Sequence, residues 1–217
     1  MVKVLNKIVN RIKIMFSKSP DLVVKVIDAN FFSKIYVVYL ETVTSSDKVN
    51  EYILKEFILK KNEVNKKNIT SYVAGANVKK ISNIDLCEFY LTNGFAIVIM
   101  GNSLFGVECR ADINRSITEA KVESSINGPK DAFVENIQIN IGLIKRRLKS
   151  SKLKIENLYL GRKSLTNISI MYFDDVADLE MVKKIIDKLN IVDIDGIVDS
   201  STVGFLLTGE NNSIYPT

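Results

Sequence analysis

One stretch of text occurs twice in this chain. Ile35-Tyr-Val-Val-Tyr-Leu-Glu-Thr-Val43 aligns with Ile168-Ser-Ile-Met-Tyr-Phe-Asp-Asp-Val176 at an offset that never slips. Tyr39 falls on Tyr172, Glu41 on Asp174, Val43 on Val176, Val49 on Val182 and Ile53 on Ile186. Upstream, Leu22 to Ile27 falls on Ile155 to Leu160. A solenoid needs many short repeats; a long unit used twice predicts two related lobes. Each would hold a strand, a loop, a second strand and a helix. The expected fold class is α/β: two small lobes with mixed sheets flanked by helices.

The local signals fill in this frame. Ile35 to Leu40 is β-branched and aromatic, which suits a buried strand. The Ser45-Ser46-Asp47 cluster can cap a helix starting near Lys48, with Val49, Tyr52, Ile53, Phe57 and Ile58 on its apolar face. Ile84 to Thr92 reads as a short helix. Phe95 to Met100 and Leu104 to Cys109 read as strands around a Gly101-Asn102 turn. Ala111 to Ser125 is polar and irregular, so the lobe boundary is placed there. The expected domains are an amphipathic segment at 1–19, lobe one at 20–115 and lobe two at 120–217. In lobe two, Pro129 suits a first helical position after Gly128. Phe133, Ile137, Ile141, Ile144 and Leu148 then recur at helical spacing, which predicts a helix over 129–149. Asp178 can cap a helix carrying Leu179, Val182, Ile186 and Leu189. Ile194 to Val198 reads as a last short strand, and Ser200 to Leu207 as a helical turn or two.

Composition excludes several functions. The chain has no His, which removes the usual general base and most zinc sites. Cys87 and Cys109 stand among apolar residues and read as buried inert thiols. The net charge of +5 suits a solvated basic surface. The Lys60-Lys61…Lys66-Lys67 run is interrupted by Glu63 and Val64, and no nucleic-acid motif accompanies it. No run of about 18 apolar residues is present to span a bilayer. Leu5, Ile8, Val9, Ile12, Met15 and Phe16 form a stripe among Lys3, Lys7, Arg11 and Lys13. That stripe suits a membrane-surface helix or a helix docked on protein, and amphipathic helices usually pack on protein.

The candidate sites are few. Glu41 and Asp174 occupy matching strand ends, the edge at which open α/β sheets bind ligands. They are the small-molecule candidates, against the ordinary roles of carboxylates at turns and caps. Asp174-Asp175 and Asp193, Asp195 and Asp199 do not read as a metal site. Lys145, Arg146 and Arg147 lie in a last helical turn, where cations complement the helix dipole. With Arg162 they are the candidates for a partner-contact surface. Gly161-Arg162-Lys163-Ser164 lacks the Walker spacing of a phosphate loop.

The stretch from Glu123 to Leu148 (ESSINGPKDAFVENIQINIGLIKRRL) resembles a signature of the GerA-type family, the A subunits of spore germinant receptors. Gly161-Arg162-Lys163-Ser164 and Ile194-Asp195-Gly196-Ile197 resemble two further stretches of that family. Asn127, Ala132, Gln138 and Ser201 depart from its usual residues. The resemblance implies two α/β subdomains, similar to the lobes of transporter-associated substrate-binding proteins. It implies a soluble N-terminal domain preceding a membrane domain, on the cytoplasmic, core-facing side of the spore inner membrane. Ser213 to Thr217 looks like the segment just before that membrane region.

The expected function is receptor assembly and signal transmission in nutrient-triggered spore germination, without catalysis and without a cofactor. The expected partners are the receptor's B and C subunits, the A subunit's membrane domain and further copies of the chain, with no nucleic acid. The alternative is a module that binds a small molecule between its two lobes.

Overall fold

The computed structural model describes residues 7–30, 33–60, 63–64, 67–73, 77–112, 133–197 and 200–208. They fall into two compact units, Met1–Ser151 and Lys152–Thr217. The boundary expected between 115 and 120 lies outside the described residues. So do Pro129 and the first part of the Glu123–Leu148 stretch.

The first unit is built on a five-stranded sheet. Its strands are β1 (Leu22–Asn30), β2 (Ser33–Leu40), β3 (Val78–Ile81), β4 (Phe95–Met100) and β5 (Ser103–Glu108), ordered β1-β2-β4-β5-β3. Every pairing is antiparallel where mixed sheets were expected. Short connections explain much of this: β1 and β2, and likewise β4 and β5, are separated by two residues, too few for a parallel crossover. Strand alternation then sorts the core onto two faces. Val37 and Tyr39 of β2 join Ala96 and Val98 of β4 on one face. Val38 and Leu40 join Ile97 and Ile99 on the other.

Helices cover both faces. A continuous helical stretch, α2 (Ser46–Val49), a π-helical turn (Asn50–Leu54) and α3 (Lys55–Leu59), lays Val49, Ile53 and Phe57 on the first face, all fully buried. Ile69 of the short α4 (Ile69–Tyr72) joins them. The second face is covered by α1 (Lys7–Met15) and α5 (Leu86–Thr92), through Val9, Ile12, Phe16, Cys87 and Leu91. Burying each large apolar side chain is worth about 1.5–3 kcal/mol. That favours docking over a membrane surface as the partner for the stripe on α1.

Helix α6 (Ile137–Arg147) belongs to the first unit and begins later than the sequence predicts. Residues 133–136 are not helical. Asn136 takes the N-cap, its side chain accepting hydrogen bonds from the backbone N–H groups of Gln138 and Ile139. The Asn140 side chain bonds both the N–H and the carbonyl of Val134, at 2.8 and 2.7 Å. These bonds fix the chain before α6 in a loop, and Phe133 is left exposed.

The second unit holds a hairpin of β6 (Leu153–Leu160) and β7 (Thr166–Phe173), followed by α7 (Leu179–Asn190) and α8 (Ser200–Thr208). The offset from Tyr39 to Tyr172 carries β2 onto β7 end for end and the start of α2 onto the start of α7. It also carries the caps onto each other: Ser45 accepts from the Lys48 N–H, and Asp178 from those of Glu180 and Met181. The hairpins differ in one respect. Tyr39 lies opposite Val23, but Tyr172 lies opposite Lys154, two residues short of the matching position. A slip of two keeps every side chain on its own face, so both tyrosines stay buried.

Candidate functional site

The basic residues at the end of α6 divide by their chemistry. Ile141 faces the interior, and Lys145 stands one turn after it, so the same helical face carries the lysine inward. There Lys145 Nζ donates to Asp21 Oδ1 at 2.6 Å, and Thr42 Oγ1 donates to Asp21 Oδ2 at 2.5 Å. The side chains of Lys145 and Asp21 are only 6% and 4% exposed. This is a buried ion pair joining α6 to the turn before β1, so Lys145 is not available to a partner. The sequence carried a signal for it: Lys145 lies four residues after Ile141, a member of the apolar stripe, and so on the same helical face.

Arg146 and Arg147 are exposed. Arg146 donates to the carbonyl of Ala111 at 2.7 Å. In the second unit Arg162 lies 3.2 Å from Asp193 and 3.1 Å from Asp195, and Lys163 donates to Asp195 at 2.9 Å. Asp193 and Asp195 are thus occupied by cations of the chain itself. Among the described residues no group of carboxylates, cysteines or histidines is placed to hold a metal ion.

The two carboxylates proposed for ligand binding differ. Glu41 is exposed at the end of β2. Asp174 lies 3.3 Å from the Nζ of Lys154, whose side chain is 5% exposed. Tyr172 donates to Glu156 beside it, at 3.3 Å. Lys154 occupies the repeat position of Asp21, so each unit holds one buried charge at the head of its first strand. The signs are opposite, and each is neutralised by a different neighbour. Asp174 Oδ1 is buried and accepts no hydrogen bond.

The cysteines offer no nucleophile. Burial pushes the Cys87 thiol up to about 11 and the Cys109 thiol to about 12. A thiol held protonated is inert. Burial, helped by the nearby Glu41 charge, also raises Tyr39.

Two loops far apart in sequence meet in the second unit. The N–H of Arg162 donates to the carbonyl of Ile194 at 2.9 Å, and those of Lys163 and Ser164 to the carbonyl of Asp195. In return Ile197 N–H donates to Ser164 Oγ at 3.2 Å. Thr166 Oγ1 donates to the Ile197 carbonyl at 3.1 Å. Gly161 takes φ +87°, and Gly196 packs against it closely enough that a Cβ on Gly161 would crowd both Gly196 and Ser164. The segment expected as a last strand therefore forms a clasp around the 161–164 turn. Each loop resembled the GerA-type family separately; their contact was not legible in the sequence.

The family model described as the Bacillus/Clostridium GerA spore germination protein matches residues 10–217. The chain belongs to this family. Spore germination protein XA of Bacillus anthracis is 37% identical over 102 residues, covering 47% of this chain and 21% of that protein. Spore germination protein GerQA of Bacillus cereus is 26% identical over 205 residues, covering 93% and 41%. Stage V sporulation protein AF of Bacillus subtilis is 26% identical over 151 residues, covering 68% and 31%. The chain thus spans well under half the length of these relatives. In fold it is similar to the crystal structure of the N-terminal domain of the A subunit of the Bacillus megaterium spore germinant receptor GerK3. The TM-score is 0.68 at 24% identity, over 96% of this chain and 80% of that one.

Proposed function

We propose that this chain forms the N-terminal domain of a spore germinant receptor A subunit. In this reading it acts in nutrient-triggered germination through receptor assembly and signal transmission, not through catalysis. The family match over residues 10–217 carries the reading. That range includes both loops of the clasp. Its partners are then the receptor's B and C subunits and the A subunit's membrane domain. They meet at the spore inner membrane, with this domain on the cytoplasmic, core-facing side. Two features support a role without chemistry: the sequence has no His, and both thiols are buried. Arg146, Arg147 and Arg162 are the accessible cations offered for contact.

The test is genetic. Deleting the gene from its own host should abolish the spores' response to at least one nutrient while leaving spore formation normal. An unchanged response to every nutrient tried refutes the reading. For the contact surface, Arg146→Glu with Arg147→Glu should leave the isolated chain folded and impair receptor assembly or germination. Normal receptor levels and normal germination would remove these arginines from the contact. A ligand for the native state must raise its stability. Thermal stabilisation of the isolated chain by a nutrient would therefore favour the small-molecule module.

A further inference from the structure

Two helices of the first unit turn a second set of side chains outward. On α1, Val9, Ile12 and Phe16 are buried against the sheet. Lys7, Arg11 and Ile14 recur at steps of four and three, so they lie along the opposite face. Lys7 and Arg11 are exposed, and Ile14 is 74% exposed. On α5, Cys87 and Leu91 are buried, while Leu86 and Phe89 are 44% and 61% exposed. Arg11 Nη2 donates to Asp85 Oδ1 at 2.7 Å. That pair joins the outward face of α1 to the start of α5, one residue before Leu86 and one turn before Phe89. The exposed apolar groups therefore belong to one surface.

The surface is basic. From Met1 to Pro20 the sequence holds Lys3, Lys7, Arg11, Lys13 and Lys18 and no Asp or Glu. Lys13 is exposed on the flank of α1. Among the described residues neither Lys7 nor Lys13 has a carboxylate partner. The carboxylates of α5 are occupied: Asp85 by Arg11, and Glu88 by the N–H of Ser151 at 2.8 Å. At the far end of α5 another exposed cation, Lys149, donates to Asn93 at 2.8 Å.

This combination selects among partners. The centre of a protein interface is poor in lysine and gathers its apolar groups into one packed patch. Here single apolar side chains stand among lysines. Lysines on long stems beside an exposed Phe and Ile suit a fluid anionic surface, where the cations meet headgroup phosphates and the apolar tips enter the acyl boundary.

We propose that the outward face of α1 and α5 docks on an anionic lipid bilayer, with Lys7 and Lys13 on the headgroups and Ile14 and Phe89 in the interface. The proposal stands apart from the receptor reading, and vesicles test it on residues 1–217. The chain should sediment with vesicles of phosphatidylglycerol in phosphatidylcholine and not with phosphatidylcholine alone. Each cation near such a surface strengthens binding about five-fold, so Lys7→Gln with Lys13→Gln should weaken it about 25-fold. Lys183→Gln with Lys184→Gln removes the same charge from exposed positions on α7 and should change it little. Equal losses from the two pairs would overturn the proposal, because net charge and not this face would then bind. So would failure to bind the anionic vesicles at low salt.

The chain has no Trp, so Phe89→Trp supplies a single reporter at the exposed tip of α5. Its emission should shift to the blue on anionic vesicles and be quenched by brominated acyl chains. A spectrum unchanged by vesicles that sediment the protein would place Phe89 outside the contact and overturn the docking geometry.

Discussion

Replacing Lys145 by Met keeps the length and apolar stem of the side chain and removes its charge. Asp21 would then be a buried carboxylate holding one hydrogen bond, from Thr42 at 2.5 Å. Removing one partner of a buried ion pair typically costs about 3–5 kcal/mol, because the other charge stays desolvated. Against a domain stability of about 5–15 kcal/mol, that loss would be visible in any equilibrium melt. Asp21→Asn alone should also destabilise, by stranding the ammonium of Lys145. The double variant should recover part of the loss, because neither charge remains. The coupling expected for groups in direct contact is about 0.5–3 kcal/mol. Urea unfolding of all four forms, followed by far-UV circular dichroism, measures the cycle. A shift below about 0.5 kcal/mol for Lys145→Met, the range of a surface substitution, would refute the buried pair. Strict additivity would refute the contact.

Other substitutions test neighbouring conclusions. Ile141→Ala should cost about 2–5 kcal/mol, the range for emptying a buried site; a surface-sized effect would remove α6 from the core. Gly161→Ala forces a side chain into the left-handed region and against Gly196 and Ser164. It should cost about 1–3 kcal/mol, and an unchanged melting temperature would deny the clasp its strain. Cys87 and Cys109 should resist thiol reagents in the native chain and react fully in urea. Their folded pKa values, about 11 and 12, exceed the unfolded value of 9.0. The unfolded thiols therefore lose protons first, and stability falls as pH rises above about 9. A Cys87→Ala/Cys109→Ala variant should lose that part of the alkaline decline, and an identical pH profile would contradict it.

What the sequence disclosed and what it hid follow from the range of the interactions. The repeat located β2, β7 and the starts of α2 and α7, because an alternating strand and a capped helix are written in neighbouring residues. The start of α6 was misplaced because proline and glycine at 128–129 form a generic signal. The deciding bonds, Asn136 to its own helix and Asn140 back to Val134, depend on three-dimensional closure. Lys145 was grouped with Arg146 and Arg147 because the three share a charge. Yet only the lysine shares the inward face of Ile141, and its partner Asp21 lies 124 residues away. The clasp shows the same limit: the bonds from Gly161–Ser164 to Ile194–Ile197 run largely through backbone groups, which leave no trace in side-chain identity. Glycine is the exception. Gly161 marks the one place in that turn where the backbone needs φ +87° and a neighbouring chain passes close. A glycine in each of two separate stretches was therefore the available sign that two backbones meet.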